Sequence, residues 1–322
     1  MTPKIVVVGS CMIDFTCFSP RLPKPGETTI GTRFEKKYGG KGANQCMAAA
    51  KLGGSTALIA SLGSDTFAQE YLEILRKENV DISHVKIQKD KHSGIAHITV
   101  AENGENSIVI VLGANESLTP EYADSAVDVI KSASVLLCQF EIPLETTLHV
   151  LKLHRGHGLS IVNGAPALEN FDPKILNLCD IFCVNETEAE VMTGIQPIDL
   201  SNVQKVVDKL LAKGCNEIIL TLGPLGAVYA SKTNRNVTRI PTTEVHPVDT
   251  TGAGDAFLGA LAYFKAYHPQ LSMDECIRRS CVVATQSVLK FGTHASFPTR
   301  SDLSIPKSGI LKNSVNYIIM QN

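Results

Sequence analysis

Residues 249–255 combine a carboxylate with a loop that could bind an anion. They read Asp-Thr-Thr-Gly-Ala-Gly-Asp and continue into apolar residues at helical spacing, which predicts a loop that opens a buried helix. Because Gly252 and Gly254 carry no side chain, their backbone N–H groups can approach a phosphate closely, and a helix N-terminus favours its negative charge. Asp255, on the first turn, could take a proton from a hydroxyl that attacks the phosphorus.

The same stretch also fits an ordinary helix cap, since glycine before a helix and an acidic first turn are common. Spacing excludes two other phosphate loops. A Rossmann G-x-G-x-x-G beginning at Gly252 meets Phe257 where glycine or alanine is required. A Walker A loop ending at Lys41 meets Glu35 where glycine is required. The catalytic and the capping interpretations of Asp255 therefore both stay open on this stretch alone.

A second glycine-rich stretch, residues 39–45, reads Gly-Gly-Lys-Gly-Ala-Asn-Gln and precedes an amphipathic helix. Its glycines would let the backbone pass close to a ligand, and Lys41 and Asn44 could donate hydrogen bonds to hydroxyls or a phosphate oxygen. The alternative is a flexible loop with a surface lysine. Asp14 follows the first apolar strand, residues 4–9, and is either a contact for a polar substrate or a turn residue.

The elements that must position these residues alternate between apolar strands and helical patterns. Further strands are predicted at residues 55–63, 135–140, 159–163, 181–184 and 218–222. This alternation indicates βαβ units and a largely parallel sheet, hence an α/β fold. Polar or small residues follow the strands, so we expect a site built from several strand ends at one edge of the sheet. They are Gln139, Glu141, Asn163, Gly164, Asn185, Glu186, Thr221 and Gly223.

Two other strands, residues 95–100 and 108–112, flank a hairpin turn at Asn103-Gly104. The second is apolar at every position, so both of its faces need cover, by a lid closing on a ligand, by a subunit interface, or by both.

Residues 185–188, Asn-Glu-Thr-Glu, fit a variant of the capping box and also a cluster that steers Mg²⁺ and its waters; both roles can hold together. Residues 223–226 fit a phosphate loop or a hairpin turn.

Composition excludes several classes of function. Thirty basic and 32 acidic residues give a net charge of -2 without a basic block, so a nucleic-acid partner is not expected. Nine cysteines without C-x-x-C pairs do not make a disulfide framework or a zinc site. The start runs into a strand instead of a signal-peptide core, and no apolar run approaches the ~20 residues of a membrane span. We expect a soluble cytoplasmic protein, with the nucleus as a second compartment; residues after 301 carry no prediction.

Four stretches in order, residues 39–44, 185–188, 221–223 and 249–255, resemble the signatures of the ribokinase-like (phosphofructokinase B) carbohydrate kinases. The resemblance spans residues 4–300. It implies a single kinase domain over 1–322 with a three-layer α/β/α, open, mostly parallel sheet and a small β lid from about 12–38 and 94–113. The form of the first stretch implies D-ribose as the sugar, phosphorylated at O5 by ATP. The lid would contain the hairpin and a strand around 28–34, and would pair with its twin in a homodimer.

The resemblance also implies roles for individual residues. Asp255 would be the general base, and Gly252, Ala253 and Gly254 would form the anion hole. The implied sugar contacts are Met12, Asp14, Gly40, Lys41, Asn44, Glu141 and Asp255. The implied ATP contacts are Asn185, Thr221, Gly223, Gly226, Gly254 and Cys281. Glu188 would organise Mg²⁺ through water. The implied K⁺ site is Asp249, Thr251, Ser287, Lys290, Gly292 and Ser296.

Two residues depart from the family pattern: Met12 stands where many bacterial members have Asn, and Cys281 stands where others have His or Asn. Three alternatives are kept. The first is a kinase for another small sugar or a nucleoside. The second is a non-catalytic sugar or nucleotide sensor, which would have no need of Asp255 beside a glycine loop. The third, an NAD-dependent dehydrogenase, lacks the dinucleotide fingerprint.

Overall fold

The apolar runs form strands of two sheets in the computed structural model, which describes residues 4–303 and the backbone of residues 318 and 319. In chain order the strands are β1 (Lys4–Val8), β2 (Met12–Ser19), β3 (Arg33–Gly39), β4 (Ser55–Gly63), β5 (Val80–Gln88), β6 (Gly94–Ala101), β7 (Asn106–Val111), β8 (Val135–Cys138), β9 (Leu159–Asn163), β10 (Ile181–Asn185), β11 (Glu217–Thr221), β12 (Ala227–Ser231), β13 (Thr238–Ile240) and β14 (Ile318–Ile319).

The helices lie between these strands. They are α1 (Lys41–Lys51), α2 (Thr66–Lys77), α3 (Pro120–Asp124), α4 (Val127–Lys131), α5 (Leu144–His154), α6 (Lys174–Leu178), α7 (Glu186–Thr193), α8 (Val203–Ala212), α9 (Ala253–Tyr267) and α10 (Met273–Ser287). None of the helices within residues 4–303 has the length and apolar character needed to cross a bilayer.

The large sheet has the order β14-β13-β12-β11-β10-β9-β8-β1-β4-β5 among the described residues. Its strands from β11 to β5 are parallel, and β12 to β14 are antiparallel at one end. Ile5 and Val7 pack with α1, α2, α9 and α10 on one face, whereas Val6 and Val8 pack with α3 to α8 on the other. Burial on both faces explains the continuous apolar strands and confirms the predicted α/β class.

Helices α1 and α9 touch closely on one face of this sheet. A Cβ added at Gly259 would lie 2.5 Å from both the Cβ of Ala48 and the carbonyl oxygen of Gln45, so only glycine fits at this crossing. Real Cβ atoms do not approach other atoms so closely, because interiors are already packed at crystal-like density. The contact sets the position of the first turn of α9 relative to α1.

The small sheet has the order β3-β2-β6-β7. Its predicted hairpin is confirmed: β6 and β7 are antiparallel, and Gly104 in the connection has a φ of 87°. All six residues of β7 are exposed, including Ile108 to Val111. The strand predicted around residues 28–34 is wrong, because β3 begins only at Arg33. The preceding residues contain Pro20, Pro23 and Pro25, and proline cannot donate to a sheet ladder.

The nine cysteines are all free thiols. Eight of them are buried in the two cores or beside them, and Cys17 on β2 is partly exposed. Buried free cysteines of this kind pack as small apolar residues.

Candidate active site

The predicted site stretches meet in one cavity of about 150 Å³ at the carboxyl ends of β9, β10 and β11. Residues from five separate parts of the chain line it, as the prediction of a site built from strand ends requires. The predicted residues in its lining are Lys41, Asn185, Glu188, Thr221, Gly252, Ala253, Gly254 and Asp255. Asn163, Cys183 and Thr250 also contribute. The structure therefore brings together the first turns of α1, α7 and α9.

Asp255 lies on the first turn of α9 and is held by two side-chain amides from α1. Asn44 Nδ2 donates to Asp255 Oδ2 and Gln45 Nε2 donates to Asp255 Oδ1, each over 3.0 Å. Burial raises the pKa of Asp255, although Lys41 and the two amides act in the opposite direction. The carboxylate is thus fixed in orientation and is more basic than an exposed aspartate. Such a group is suited to accept a proton.

The amide of Gln45 is itself oriented by a second glutamine. Gln139 Nε2 donates to Gln45 Oε1 over 2.7 Å, so the Gln45 nitrogen faces Asp255 and, at 3.2 Å, Asn163 Oδ1. A Cβ at Gly9 would lie 2.1 Å from Gln139 Oε1, which leaves glycine as the residue that fits there. Gln45 was not among the predicted site residues. In the sequence, only its position could have indicated this role: it directly follows Asn44, the last residue of the stretch 39–44 that resembles the family signature.

Helix α1 begins at Lys41, inside the stretch predicted as a loop. A Cβ at Gly42 would lie 2.5 Å from the backbone nitrogen of Ser10, and Gly40 has a φ of 91°. These glycines therefore permit contact between two protein backbones, and the flexible-loop alternative is wrong. The helix start is capped from outside: Glu141 Oε2 accepts from the Lys41 backbone N–H over 2.9 Å and also from the Ser10 hydroxyl.

One lysine faces several carboxylates at this site. Burial alone would lower the pKa of Lys41, but four nearby carboxylates raise it above its usual value. In order of effect they are Asp255, Glu141, Glu188 and Asp14. Burial, followed by the neighbouring charge of Glu141, raises the pKa of Asp14 to about 7. The site thus holds more negative than positive charge, and Lys41 stays protonated at neutral pH.

Asn185 and Glu188 form the predicted capping box at the start of α7. Asn185 Oδ1 accepts from the Glu188 N–H over 2.9 Å, and Glu188 Oε2 accepts from the Asn185 N–H over 2.7 Å. Burial raises the pKa of Glu188. Residues 4–303 contain no group of three or more His, Cys, Asp or Glu side chains that could hold a metal ion directly. The remaining lone pairs of Glu188 fit a Mg²⁺ held through its water shell, which is how this ion usually binds.

The residues predicted for K⁺ lie on two adjoining segments beside the start of α9. Asp249 accepts from the backbone N–H groups of Thr251 and Gly292, each over 2.9 Å. Burial tends to raise the pKa of Asp249, but hydrogen bonds from the Thr251 side chain and from the Gly292 and Thr251 backbone N–H groups outweigh it and lower the pKa. A Cβ at Gly252 would lie 3.2 Å from Thr293 and Phe297, so the second segment supports the first turn of α9.

The structure places the other residues of that set in the same two segments. The Ser287 and Ser296 hydroxyls donate to the carbonyl oxygens of Ala284 and Thr293, each over 2.8 Å. The Lys290 backbone N–H donates to the Ser287 carbonyl over 3.4 Å. The hydroxyl oxygens keep their lone pairs free, as an oxygen-ligated cation requires.

Four other predicted ligand contacts, Gly223, Gly226, Cys281 and Met12, also lie outside the cavity lining, as Asp14, Gly40, Asn44, Glu141 and the K⁺ set do. Gly223 and Gly226 form the turn between β11 and β12, where a Cβ at Gly226 would lie 2.2 Å from the carbonyl oxygen of Ile240. This confirms the hairpin-turn interpretation. Cys281 is buried on α10, close enough to cavity-lining Cys183 to influence its pKa. Met12 is buried at the start of β2. The ligand roles of these four residues stay predictions.

Comparison with known proteins places this geometry among carbohydrate kinases. Residues 2–300 match the sequence profile described as pfkB family carbohydrate kinase. The chain is similar to the ribokinase of Mus musculus, 42% identical over 94% of both chains. It is 35% identical to the deoxyribokinase of Salmonella typhi, over 92% of this chain and 95% of that one. The structure of Arabidopsis thaliana ribokinase complexed with ribose and ATP superposes with a TM-score of 0.87 at 29% identity, covering 94% of this chain and 98% of that one.

The electrostatics of the site predict an aspartate that titrates near neutral pH. In the ligand-free protein we expect Asp14 to titrate at about pH 7, and we expect Glu141→Gln to lower that pKa because it removes a neighbouring negative charge. Carboxyl ¹³C NMR of aspartate-labelled protein measures both. Glu145→Gln, an exposed glutamate in the first turn of α5, is the matched control and should leave Asp14 unchanged. A value near 4, or no response to Glu141→Gln, would contradict the geometry.

Proposed function

This chain belongs to the pfkB family of carbohydrate kinases, and we propose that it is a ribokinase, which transfers the terminal phosphoryl group of ATP to O5 of D-ribose. The products are D-ribose 5-phosphate and ADP. The observation that carries the proposal is the buried Asp255 carboxylate, fixed by Asn44 and Gln45 at a helix start that contains Gly252 and Gly254. Relatives named ribokinase along nearly the whole chain support D-ribose as the sugar.

Asp255 takes the proton from the sugar hydroxyl as that oxygen attacks the phosphorus. The N–H groups of residues 252–254, at the N-terminus of α9, hold the negative charge of the transferring group. Apart from its chain neighbours and the backbone of α9, no atom of the described residues lies within 4 Å of the position that a Cβ of Gly254 would take, which leaves room for a phosphoryl group beside Asp255. Catalysis of this kind depends on positioning and charge stabilisation, because the transition state of phosphoryl transfer is loose. Lys41 supplies the positive charge nearest to the base.

ATP would extend from this point along the ends of β10 and β11. The residues along that edge are Asn185, Thr221, Gly223 and Gly226, and Cys281 lies near Cys183. Glu188 would hold the water shell of Mg²⁺. When bound, Mg²⁺ would offset part of the negative charge of the phosphates.

K⁺ would be held by the segments that contain Asp249, Thr251 and Gly292, together with Ser287, Lys290 and Ser296. These segments already support the first turn of α9 through Thr293 and Phe297. A cation there would stiffen the anion hole without contact to the sugar, so we expect it to affect turnover more than sugar binding.

Replacing the base tests the mechanism directly. Asp255→Asn keeps the size of the side chain but removes the proton acceptor, so we expect kcat to fall by about 10²–10⁴-fold. The ribose Kd from calorimetry should change little, because Asp255 is needed mainly in the transition state. Asp274→Asn, which alters an aspartate in the first turn of α10, is the control and should keep wild-type kcat. Lost ribose binding with unchanged turnover would return Asp255 to the role of a helix cap.

A second candidate substrate is 2-deoxyribose. Met12 offers a buried thioether at a predicted sugar contact, and its sulfur lies 3.2 Å from Asn115 Nδ2. A thioether is a weak hydrogen-bond acceptor, so a pentose that lacks one hydroxyl gives up little there. The similarity to a deoxyribokinase points in the same direction. Other small sugars and nucleosides, and the sensor without catalysis, stay as rivals.

A substrate panel decides between these candidates. ADP release is measured with ribose, 2-deoxyribose, other pentoses, hexoses and adenosine, each with K⁺ and with Na⁺ alone. We expect turnover with both ribose and 2-deoxyribose, and stimulation by K⁺. Met12→Asn should raise the preference for ribose by about threefold to tenfold, as one neutral hydrogen bond contributes about 0.5–1.5 kcal/mol.

Met273→Asn, in the first turn of α10, is the control for that substitution and should leave the preference unchanged. Turnover with neither pentose, together with ribose binding in calorimetry, would favour the sensor. Equal rates in K⁺ and Na⁺ would contradict the cation site. An unchanged preference in Met12→Asn would remove Met12 from the sugar contacts.

We further propose that residues 1–322 act as one kinase domain, with the small sheet as a lid over the sugar, and that two copies pair through their lids. The exposed apolar residues Ile108 to Val111 on edge strand β7 support this pairing, because such an edge readily adds another strand. The location of the protein in the cytoplasm, or also in the nucleus, stays a prediction of the sequence.

Sedimentation velocity tests the pairing. We expect the wild-type protein to sediment as a dimer at micromolar concentration, and Ile108→Lys/Ile110→Lys to sediment as a monomer because lysine on β7 blocks edge pairing. Val191→Lys replaces an exposed apolar residue on α7, outside the small sheet, and should stay dimeric. A monomeric wild-type protein would disprove the lid interface.

A further inference from the structure

Asn115 is a buried residue outside the cavity whose side chain bonds to two separate backbone segments. It lies in a 3₁₀ turn, Gly113–Ser117, just after β7. Its Oδ1 accepts from the Cys11 N–H over 2.9 Å, and its Nδ2 donates to the carbonyl oxygens of Cys11 and Leu112, each over 2.9 Å. These two carbonyls take both hydrogens of the amide, and Met12 Sδ lies against the same nitrogen at 3.2 Å.

The atoms around Asn115 are the points where the small sheet joins the rest of the chain. Met12 begins β2 and pairs with Gly39 at the end of β3 and with Gly94 at the start of β6. Leu112 directly follows β7. A Cβ at Gly94 would lie 2.3 Å from Asn115 Nδ2 and 2.5 Å from Met12 Sδ, so glycine is needed for this convergence. One amide therefore ties the entry to β2 to the exit from β7.

This tie bears on the predicted sugar contacts. Met12 and Asp14 are two residues apart on β2, so their side chains lie on the same face of the strand. Cys11, whose N–H donates one of these hydrogen bonds and whose carbonyl accepts another, is fully buried. Without Asn115, buried backbone groups at the start of β2 would lose their hydrogen-bond partner. This loss costs more free energy than the loss of a hydrogen bond between solvent-exposed groups. A displacement of the backbone at the start of β2 would therefore move Met12 and Asp14 together.

We propose that Asn115 is a positioning residue for the sugar. Its hydrogen bonds join the start of β2 to the end of β7, so that Met12 and Asp14 keep fixed positions relative to the rest of the small sheet. The proposal rests on the proposed sugar kinase activity. Asn115 acts through Met12 and the Cys11 backbone and does not itself touch the substrate. Small errors in such positions are costly in catalysis, since the reacting groups must be held within fractions of an ångström.

Hydrogen exchange without substrate tests the tie by itself. Asn115→Leu fills the space without hydrogen bonds, and Gly94→Ala displaces the amide while keeping it. In both variants we expect faster amide exchange in β2 and β7 and unchanged exchange in α9. Thr146→Val is the matched control: it removes another buried hydrogen bond to the chain next to this turn, from Thr146 Oγ1 to the Leu118 carbonyl, and that bond involves no strand of the small sheet. Exchange in β2 and β7 equal to that of the control would overturn the tie.

Steady-state kinetics with both substrates test the positioning role. For the two variants we expect the KM for ribose to rise by about tenfold, with the KM for ATP within about twofold of wild type. A merely structural role would lower thermal stability and leave both constants as in Thr146→Val. If amide exchange in β2 and β7 is raised but both KM values match those of Thr146→Val, the positioning role is overturned. Wild-type protein without turnover on any sugar would instead overturn the proposed function. Ribose Kd from calorimetry would then take the place of KM, and a variant Kd equal to that of wild type would overturn the positioning role.

Discussion

Two amide hydrogen bonds from α1 to the Asp255 carboxylate are the interaction on which the rest of this site depends. A buried carboxylate is costly unless charged or polar groups surround it, and each hydrogen bond to an ionised group contributes about 1.5–3 kcal/mol. These hydrogen bonds require α1 and α9 to keep a fixed position, or register, relative to each other. That register follows from the close crossing at Gly259 and from the seating of Gly42 on Ser10. Backbone packing next to the cavity, at residues that do not line it, thus determines the geometry of the base.

The charges around Lys41 show a second constraint. Asp14, Glu188 and Asp255 all have a raised pKa, because burial and mutual repulsion disfavour their ionised forms. A fold selected for stability alone would not gather carboxylates around one lysine. Perturbed groups of this kind collect at sites where protons and anions are handled. The capping box of Asn185 and Glu188 is compatible with the Mg²⁺ role proposed for Glu188, so neither interpretation of this pair had to displace the other.

Much of the fold could be predicted from the sequence, because strands buried on both faces, such as residues 4–8, leave continuous apolar runs. Asp255 could be found as well, since its glycine neighbours fix its local geometry. Gln45 and Asn115 could not. Each is a polar residue whose burial depends on an element about a hundred or more residues away, so local pattern gives no sign of it. The strand around residues 28–34 was expected from the family resemblance alone and was misplaced, since β3 begins only at Arg33.

The partial exposure of Cys17 has a practical consequence. Burial raises the pKa of each of the other eight thiols. Thiol-specific reagents attack the solvent-exposed thiolate, so their reaction with these eight cysteines is strongly disfavoured. Cys17 lies in the middle of β2, between Phe34 on β3 and Thr99 on β6. The natural chain therefore carries a single selective attachment point for a fluorophore or spin label, and that point sits within the small sheet itself.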